Sequence, residues 1–461
     1  MTYRLKLFGV LCLGVSFIFS CTPKEKVHKP TNVLFIIVDD LRPELGCYGH
    51  PVVQSPNIDR IAGEGVLFKN AFCNIPVCGA SRASFLTGLR PMQNRFLTYM
   101  TYAQHDAPGA ISLPQYFKDN GYTTVSNGKV FHNEDDHAAA WDINWRPSDL
   151  LDYHTAENSG TDMANRGRPY ERGNVPDSVY NDAKIAAKSI IDLKALAAAD
   201  NPFFMAVGFL KPHLPFNAPE KYWQLYDGRV TLPDNNYVPA GAPARSVHNS
   251  GELRNYADVP KEVPVSDSLA VTLIQGYYAS VSYVDAQIGK VLDELKELGL
   301  DKDTHIVLIG DHGYNLLEHT MWCKHCNYRN SLRSTMIWKS PKAKAGSISN
   351  AIVEYVDIFP TLADLAGLPK PAQLQGESLM VELVSPSTAP AGFAISRWTN
   401  GYTITTPDYA YTEWVNDSLQ WQDEMLYDHR SDLEENENIA AGNQTVVDSL
   451  SKLLRKNWRL E

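Results

Sequence analysis

The chain has 461 residues, 44% of them hydrophobic and 21% charged, which is ample for a large core and for more than one folding unit. Its formal charge of -11 argues against a nucleic-acid binder, which carries a basic surface. An anionic small substrate is not excluded, because local basic clusters can focus one inside an acidic protein.

Arg4 and Lys6 form a short basic start, and residues 7–19 are an apolar run too short for a spanning helix with normal flanks. Ser20-Cys21 closes the run, and Thr22-Pro23-Lys24-Glu25-Lys26 is polar. The segment resembles a bacterial lipoprotein signal. Residues 1–20 are the expected signal peptide, Cys21 the lipid-anchored first residue of the mature chain, and residues 21–30 a tether. An ordinary cleaved signal with an incidental cysteine is the alternative. Either way the chain is expected to be exported. A lipoprotein would be periplasmic or attached to the outer membrane, touching the membrane only through that anchor. Beyond this segment Cys47, Cys73, Cys78, Cys323 and Cys326 are left, and an odd number in an exported chain suggests a free, reactive thiol. Cys323 and Cys326 have CxxC spacing, but no second pair supports a zinc site, which leaves a disulfide or two ordinary cysteines.

Residues 31–38 form a continuous apolar run, as in a strand covered on both faces of a parallel sheet, and stop at Asp39-Asp40. Residues 56–68 read as a helix capped by Asn57, with Ile58, Ile61, Ala62 and Gly65 on one face. Residues 125–130 are a short candidate strand. Residues 135–173 are polar and lack periodicity, so an insertion or long loop is expected. Residues 202–208 are a third apolar strand, followed by Lys211-Pro212-His213, and the Pro-rich stretch to about 265 reads as irregular surface. In residues 280–298 Val281, Val284, Ile288, Val291, Leu295 and Leu298 recur at helical spacing, and Gly299 can end the helix. Residues 305–309 are a further buried strand, leading into Gly310-Asp311-His312-Gly313.

Strands alternating with helices predict an α/β fold, a large doubly wound, mostly parallel sheet flanked by helices. After about residue 385 the pattern changes. Residues 392–397, 402–405 and 409–415 are short and rich in aromatic and β-branched residues, which predicts a smaller antiparallel sheet with a helix at 445–454 packed on it. The expected division is a catalytic domain over 31–384 and a C-terminal α+β subdomain over 385–461.

Ligands of open parallel sheets bind beyond the carboxyl ends of the strands, so Asp39-Asp40 and Asp311-His312 are expected to converge. Three carboxylates and an imidazole suit a hard cation, calcium or magnesium, better than zinc. Alone, a pair of adjacent carboxylates is as often a solvated loop or a helix cap. A third cluster is Cys78-Gly79-Ala80-Ser81-Arg82, opening a run compatible with a helix that ends at Gly88. That puts Cys78 at a helix N-terminus, where unpaired N–H groups favour an anion. An activated thiolate and an inert buried cysteine both fit this position.

Cys78-Gly79-Ala80-Ser81-Arg82 resembles the Cys-x-Pro/Ala-Ser-Arg signature of type I sulfatases, within the alkaline-phosphatase-like superfamily. Residues 32–40 resemble that family's opening strand. Pro56-Asn57-Ile58-Asp59-Arg60 and Leu86-Thr87-Gly88 resemble the phrases bracketing the signature. Val356-Asp357-Ile358-Phe359-Pro360-Thr361-Leu362 resembles its late helix, and Leu426-Tyr427-Asp428 its C-terminal strand. The matches run in order over nearly all of the mature chain. Within the family the wording is most similar to iduronate-2-sulfatase and bacterial glycosaminoglycan 2-O-sulfatases. Residues 39–49, Gly128-Lys129-Val130-Phe131-His132, residues 211–216 and residues 278–283 follow that branch, and His312 stands where many sulfatases carry Asn.

The resemblance implies that Cys78 is oxidised by a formylglycine-generating maturation enzyme, and that the hydrated aldehyde supplies the nucleophilic hydroxyl. It implies calcium bound by Asp39, Asp40, Asp311 and His312 together with residue 78. Arg82 would hold the modified residue and the sulfate, and Lys129, His132, His213 and Lys324 would surround the sulfate and the leaving group. His213 or His132 would protonate the departing sugar oxygen. Arg329 or Arg333, near Lys324 in sequence, is expected to meet a uronate carboxylate, with His325 beside it. The expected reaction is hydrolysis of 2-O-sulfate on iduronate or unsaturated uronate in glycosaminoglycan oligosaccharides. Other sulfated glycans, aryl sulfates and phosphate or phosphonate esters are the enzymatic alternatives, and a non-catalytic glycan-binding lipoprotein ranks last. Ala80 replaces the commoner proline of the signature, which bears on the maturation enzyme required. Cys323-Lys324-His325-Cys326 departs from the branch except at Lys324, which bears on sugar specificity.

Overall fold

The computed structural model describes Thr2 and residues 31–458, apart from 150, 159, 160 and 263. The signal peptide, the Cys21 anchor and the tether lie outside the described residues. Nine strands form one sheet: β1 (Asn32–Val38), β2 (Val66–Phe72), β3 (Thr123–Gly128), β4 (Ile143–Trp145), β5 (Phe203–Phe209), β6 (Thr304–Gly310), β7 (Arg333–Ser334), β8 (Met336–Lys339) and β9 (Ser347–Glu354). Across the sheet they run β9-β2-β8-β6-β1-β5-β3-β4, with β7 also beside β2. β1 is parallel to β5 and β6, β3 to β5 and β4, while β8 is antiparallel to β2 and β6. The carboxyl ends of β1, β3, β4, β5 and β6 therefore share one edge.

The apolar run of β1 follows from its place at the centre. Leu34, Ile36 and Val38 enter one core, and Val33, Phe35 and Ile37 enter the other. The first core holds α1 (Pro56–Glu64), and the second holds α2 (Cys78–Thr87). Further along the chain α3 (Asn181–Ala197) and α4 (Asp267–Glu297) join the first core, and α5 (Ile358–Ala366) joins the second. A strand buried on both faces has no polar side to alternate with. No helix among the described residues is long and apolar enough to cross a membrane.

Four expectations need correction. The helix predicted over 56–68 stops at Glu64, and Val66–Phe72 is strand β2. Gly65 makes the break: its backbone passes so close to the Trp338 carbonyl that no Cβ fits. Asn57 is not the cap. Ser55 holds that position, and the N–H groups of Asn57 and Ile58 donate to Asp285 on α4 at 3.0 and 2.8 Å. The long loop predicted over 135–173 contains β4, which pairs with residues 125–127 as an edge strand too short to show alternation. The helix predicted over 280–298 begins already at Asp267, because Ala270, Leu273, Ile274 and Tyr277 extend its buried face and Ser266 accepts from the Leu269 N–H.

The C-terminal strands β10 (Ala394–Trp398), β11 (Gly401–Thr405), β12 (Tyr409–Val415) and β13 (Trp421–Asp428) form the antiparallel sheet in sequence order. Helix α6 (Gln444–Asn457) packs on it through Val447, Leu450 and Leu454 against Ile404, Tyr411 and Leu426.

Candidate active site

Each parallel strand delivers charged or imidazole side chains just past its carboxyl end. Asp39 and Asp40 follow β1, Lys129 follows β3, Arg146 follows β4, Lys211 and His213 follow β5, and Asp311 and His312 follow β6. α2 brings its first residue, Cys78, to the same edge. Together they floor a cleft of about 670 Å³ whose lining includes Asp39, Cys78, Lys129, His132, His213, Lys324 and His325. The convergence expected of Asp39-Asp40 and Asp311-His312 is therefore present.

The cluster is tightly cross-linked. The Asp40 N–H donates to Asp311 Oδ1 at 3.0 Å, with Asp40 itself in the left-handed region at φ 63°. Arg82 is fully buried. Its Nε donates to Asp311 Oδ2 at 3.0 Å, its Nη2 to Asp39 Oδ1 at 3.2 Å, and its Nη1 to the carbonyls of Val130 and Lys129. Arg82 thus ties α2 to the ends of β1, β3 and β6. Its donors face the carboxylates of Asp39 and Asp311 and two backbone carbonyls. Lys129 Nζ donates to Asp39 Oδ2. Lys324 Nζ donates to both Asp40 oxygens at 3.0 Å and to Glu252 at 2.9 Å.

The donor set fits a hard divalent cation. Asp39, Asp40 and Asp311 each place an oxygen within 4.8 Å of the others, and Asp40, Cys78 and His312 form a second such group. Cys78 Sγ lies 3.2 Å from His312 Nε2, while His312 Nδ1 donates to the Gly313 carbonyl at 2.9 Å. Burial works to raise both β1 carboxyls. Lys129, His213 and Arg82 overcome it at Asp39, which is held well below the usual carboxylate range. At Asp40 burial outweighs Lys324, and the carboxyl is raised. A buried carboxylate short of positive charge is what a bound cation would correct. Burial and Asp39 also push the Cys78 thiol well above its ordinary value. The helix N-terminus alone does not make it a thiolate.

His213 and His132 differ in setting. His213 Nδ1 donates to the Leu214 carbonyl at 2.6 Å, and its Nε2 is 3.1 Å from a Glu252 oxygen. Both ring nitrogens face oxygen acceptors. Burial and Lys129 push His132 down to about 2, and its Nδ1 is buried without a partner. His325 lines the cleft with its ring 4.9 Å from Trp398, and burial pushes it down to about 3.

Arg329 and Arg333 are not brought into this cleft. Both line a separate one of about 410 Å³, beside Arg42, Glu44 and Glu318. Arg329 donates to Asn70, and Arg333 donates to the Lys69 carbonyl and stacks on Tyr48. Between Lys324 and these arginines the chain is irregular, with Cys323 and His325 both in left-handed backbone at φ 71° and 78°. Several cleft residues carry no signal in the sequence, Glu252, Arg146 and Arg166 among them. Glu252 sits in the irregular Pro-rich stretch, and Arg146 follows the undetected β4. Cys47, Cys73, Cys78, Cys323 and Cys326 are all free thiols, so the CxxC pair is not a disulfide.

Comparison with known proteins agrees with this geometry. The family model described as Sulfatase matches residues 31–368, and that described as N-sulphoglucosamine sulphohydrolase, C-terminal, matches residues 317–459. Iduronate 2-sulfatase of Mus musculus is 33% identical over 491 residues, covering 89% of this chain and 88% of that protein. A solved structure in complex with its substrate D-glucosamine-2-N,6-O-disulfate superposes with TM-score 0.72 at 24% identity, covering 93% of this chain and 98% of that one. Phosphonate monoester hydrolase from Silicibacter pomeroyi superposes with TM-score 0.73 at 22% identity, covering 94% and 96%. At those identities the two structures speak for the fold alone. The family model spans most of the chain, and a relative one-third identical aligns over nearly all of it: the chain belongs to the sulfatase family of sulfuric ester hydrolases.

Proposed function

We propose that the protein removes 2-O-sulfate from a uronic acid, iduronate or its unsaturated counterpart, in glycosaminoglycan oligosaccharides, with residue 78 as formylglycine beside bound calcium. The observation that carries the reading is the position of residue 78. It starts α2 at the floor of the cleft, 3.2 Å from His312, among the carboxylates and under Lys129, His132, His213 and Lys324. The likeness to iduronate 2-sulfatase supports the sugar and the ester position. Maturation requires a formylglycine-generating enzyme that accepts Ala80 in the signature. Export and lipid attachment at Cys21 belong to the same reading.

A sulfate monoester is anionic, and its cleavage builds charge on the bridging oxygen. The hydrated aldehyde would supply the attacking hydroxyl, and calcium held by Asp39, Asp40, Asp311 and His312 would polarise the sulfate oxygens. Lys129 and Lys324 add positive charge that is fixed in place, so little reorganisation is needed as charge develops. His213 carries the proton for the leaving oxygen on Nε2, held there by Glu252. His132 is neutral and serves as an acceptor. Of the two imidazoles expected to share this work, the structure favours His213 as the acid.

Two consequences can be measured. His213→Ala is expected to slow release of sulfate from a sugar by roughly 100- to 10,000-fold, and from a nitrophenyl sulfate far less, since that leaving group needs no proton. Equal losses on both esters would remove His213 from the acid role. Exhaustive chelation is expected to abolish sulfate release and added calcium to restore it, whereas turnover that survives chelation would exclude an essential metal. The reading itself is tested on defined disaccharides with matured protein. Sulfate is expected from 2-O-sulfated unsaturated uronate and not from 6-O-sulfated glucosamine. Equal rates on both sink the specificity, and cleavage of phosphonate esters alone moves the protein to the other chemistry of its fold.

A further inference from the structure

The cleft holds two guanidinium groups that the catalytic cluster does not use. Arg146 follows β4, whose residues pair with 125–127 of β3, and it lines the same cleft as Lys129. Its Nη1 donates to the His132 carbonyl at 2.7 Å. Its Nε is buried with no partner, and among the described residues it forms no ion pair. Arg166 lines the same cleft, stacked on the Tyr256 ring at 5.1 Å, and likewise forms no ion pair among the described residues. The cationic side chains nearer residue 78 are committed: Lys129 and Arg82 to Asp39, Lys324 to Asp40 and Glu252.

Burying a guanidinium is costly, and burial with Arg82 lowers the pKa of Arg146 against the opposing pull of Asp39 and Glu134. An anion from outside would offset that cost. On the 2-O-uronate reading that anion is a carboxylate, which a guanidinium fork can take through two parallel bonds. Lys129 and Arg146 line the same cleft, so both acidic groups of one sugar residue can be met there. Resting on the 2-O-uronate reading above, we infer that Arg146, flanked by Arg166, binds the carboxylate of the sulfated uronic acid.

The test uses the full chain, matured in the cell that makes it, with two substrates. One is a 2-O-sulfated unsaturated uronate disaccharide, and the other is the same disaccharide with its carboxylate reduced to the alcohol. The wild-type protein is expected to prefer the carboxylate in kcat/KM by roughly 10- to 100-fold, the range of one charge-assisted pair. Arg146→Ala is expected to shrink that preference to under about 3-fold, mainly through KM. Arg146→Lys is expected to recover only part of it, because an ammonium cannot form the fork. Arg166→Ala, which leaves the His132 carbonyl bond in place, supplies the same comparison if Arg146→Ala does not fold. An Arg146→Ala protein that keeps the full preference, or loses equally on both substrates, overturns the assignment. Release of sulfate from neither substrate by the wild-type protein overturns the 2-O-uronate reading and the subsite with it, so the two failures are told apart.

Discussion

Replacing Cys78 by alanine is expected to lower sulfate release by at least about four orders of magnitude, with the folded state retained. Cys78 is small, and its thiol makes one polar contact, to His312. The helix that carries it is held by other means: Arg82 binds Asp311 and Asp39, and Ser81 Oγ donates to the Asp311 carbonyl at 2.5 Å. Phe85 and Leu86 are fully buried in the core beneath. Losing one thiol from such a helix costs little stability. The chemistry is different, since residue 78 sits where the cation site meets the cleft. Turnover by Cys78→Ala within tenfold of the wild-type rate would remove the nucleophile from this account.

Arg82→Ala is expected to act the other way, on the fold first. Removing one partner of a buried ionic cluster leaves the remaining charges without compensation, at about 3–5 kcal/mol. Here two carboxylates, Asp39 and Asp311, and two carbonyls each lose one donor at once. Lysine is not a conservative replacement, because one ammonium cannot reach three chain segments in a fixed plane. Chemical denaturation should therefore show a large loss for both Arg82→Ala and Arg82→Lys, with sulfate release lost in each. A loss under about 1 kcal/mol would show that the cluster does not depend on this arginine.

The same cluster shows why much of the site was legible in the sequence. β1 and β6 are apolar throughout because helices cover both faces, and a run of that kind ends where the sheet ends. The polar residues just after it, Asp39-Asp40 and Asp311-His312, must then lie at the carboxyl edge. Side chains that depend on irregular backbone left no such mark. Glu252 reaches Lys324 and His213 from a stretch without periodicity, and Arg146 depends on a three-residue edge strand. Arg329 and Arg333 line the separate cleft. They are near Lys324 along the chain, but the backbone between is irregular, left-handed at Cys323 and His325. The cap of α1 was hidden too, because Asp285 comes from a helix more than two hundred residues away.

The whole account turns on what residue 78 is in the active protein. The most direct measurement is the mass of the peptide spanning Cys78-Gly79-Ala80-Ser81-Arg82, taken from a preparation whose sulfate release has been measured. The expected result is an aldehyde, or its hydrate, at residue 78 in proportion to activity. A fully active preparation in which residue 78 is entirely thiol would contradict the account.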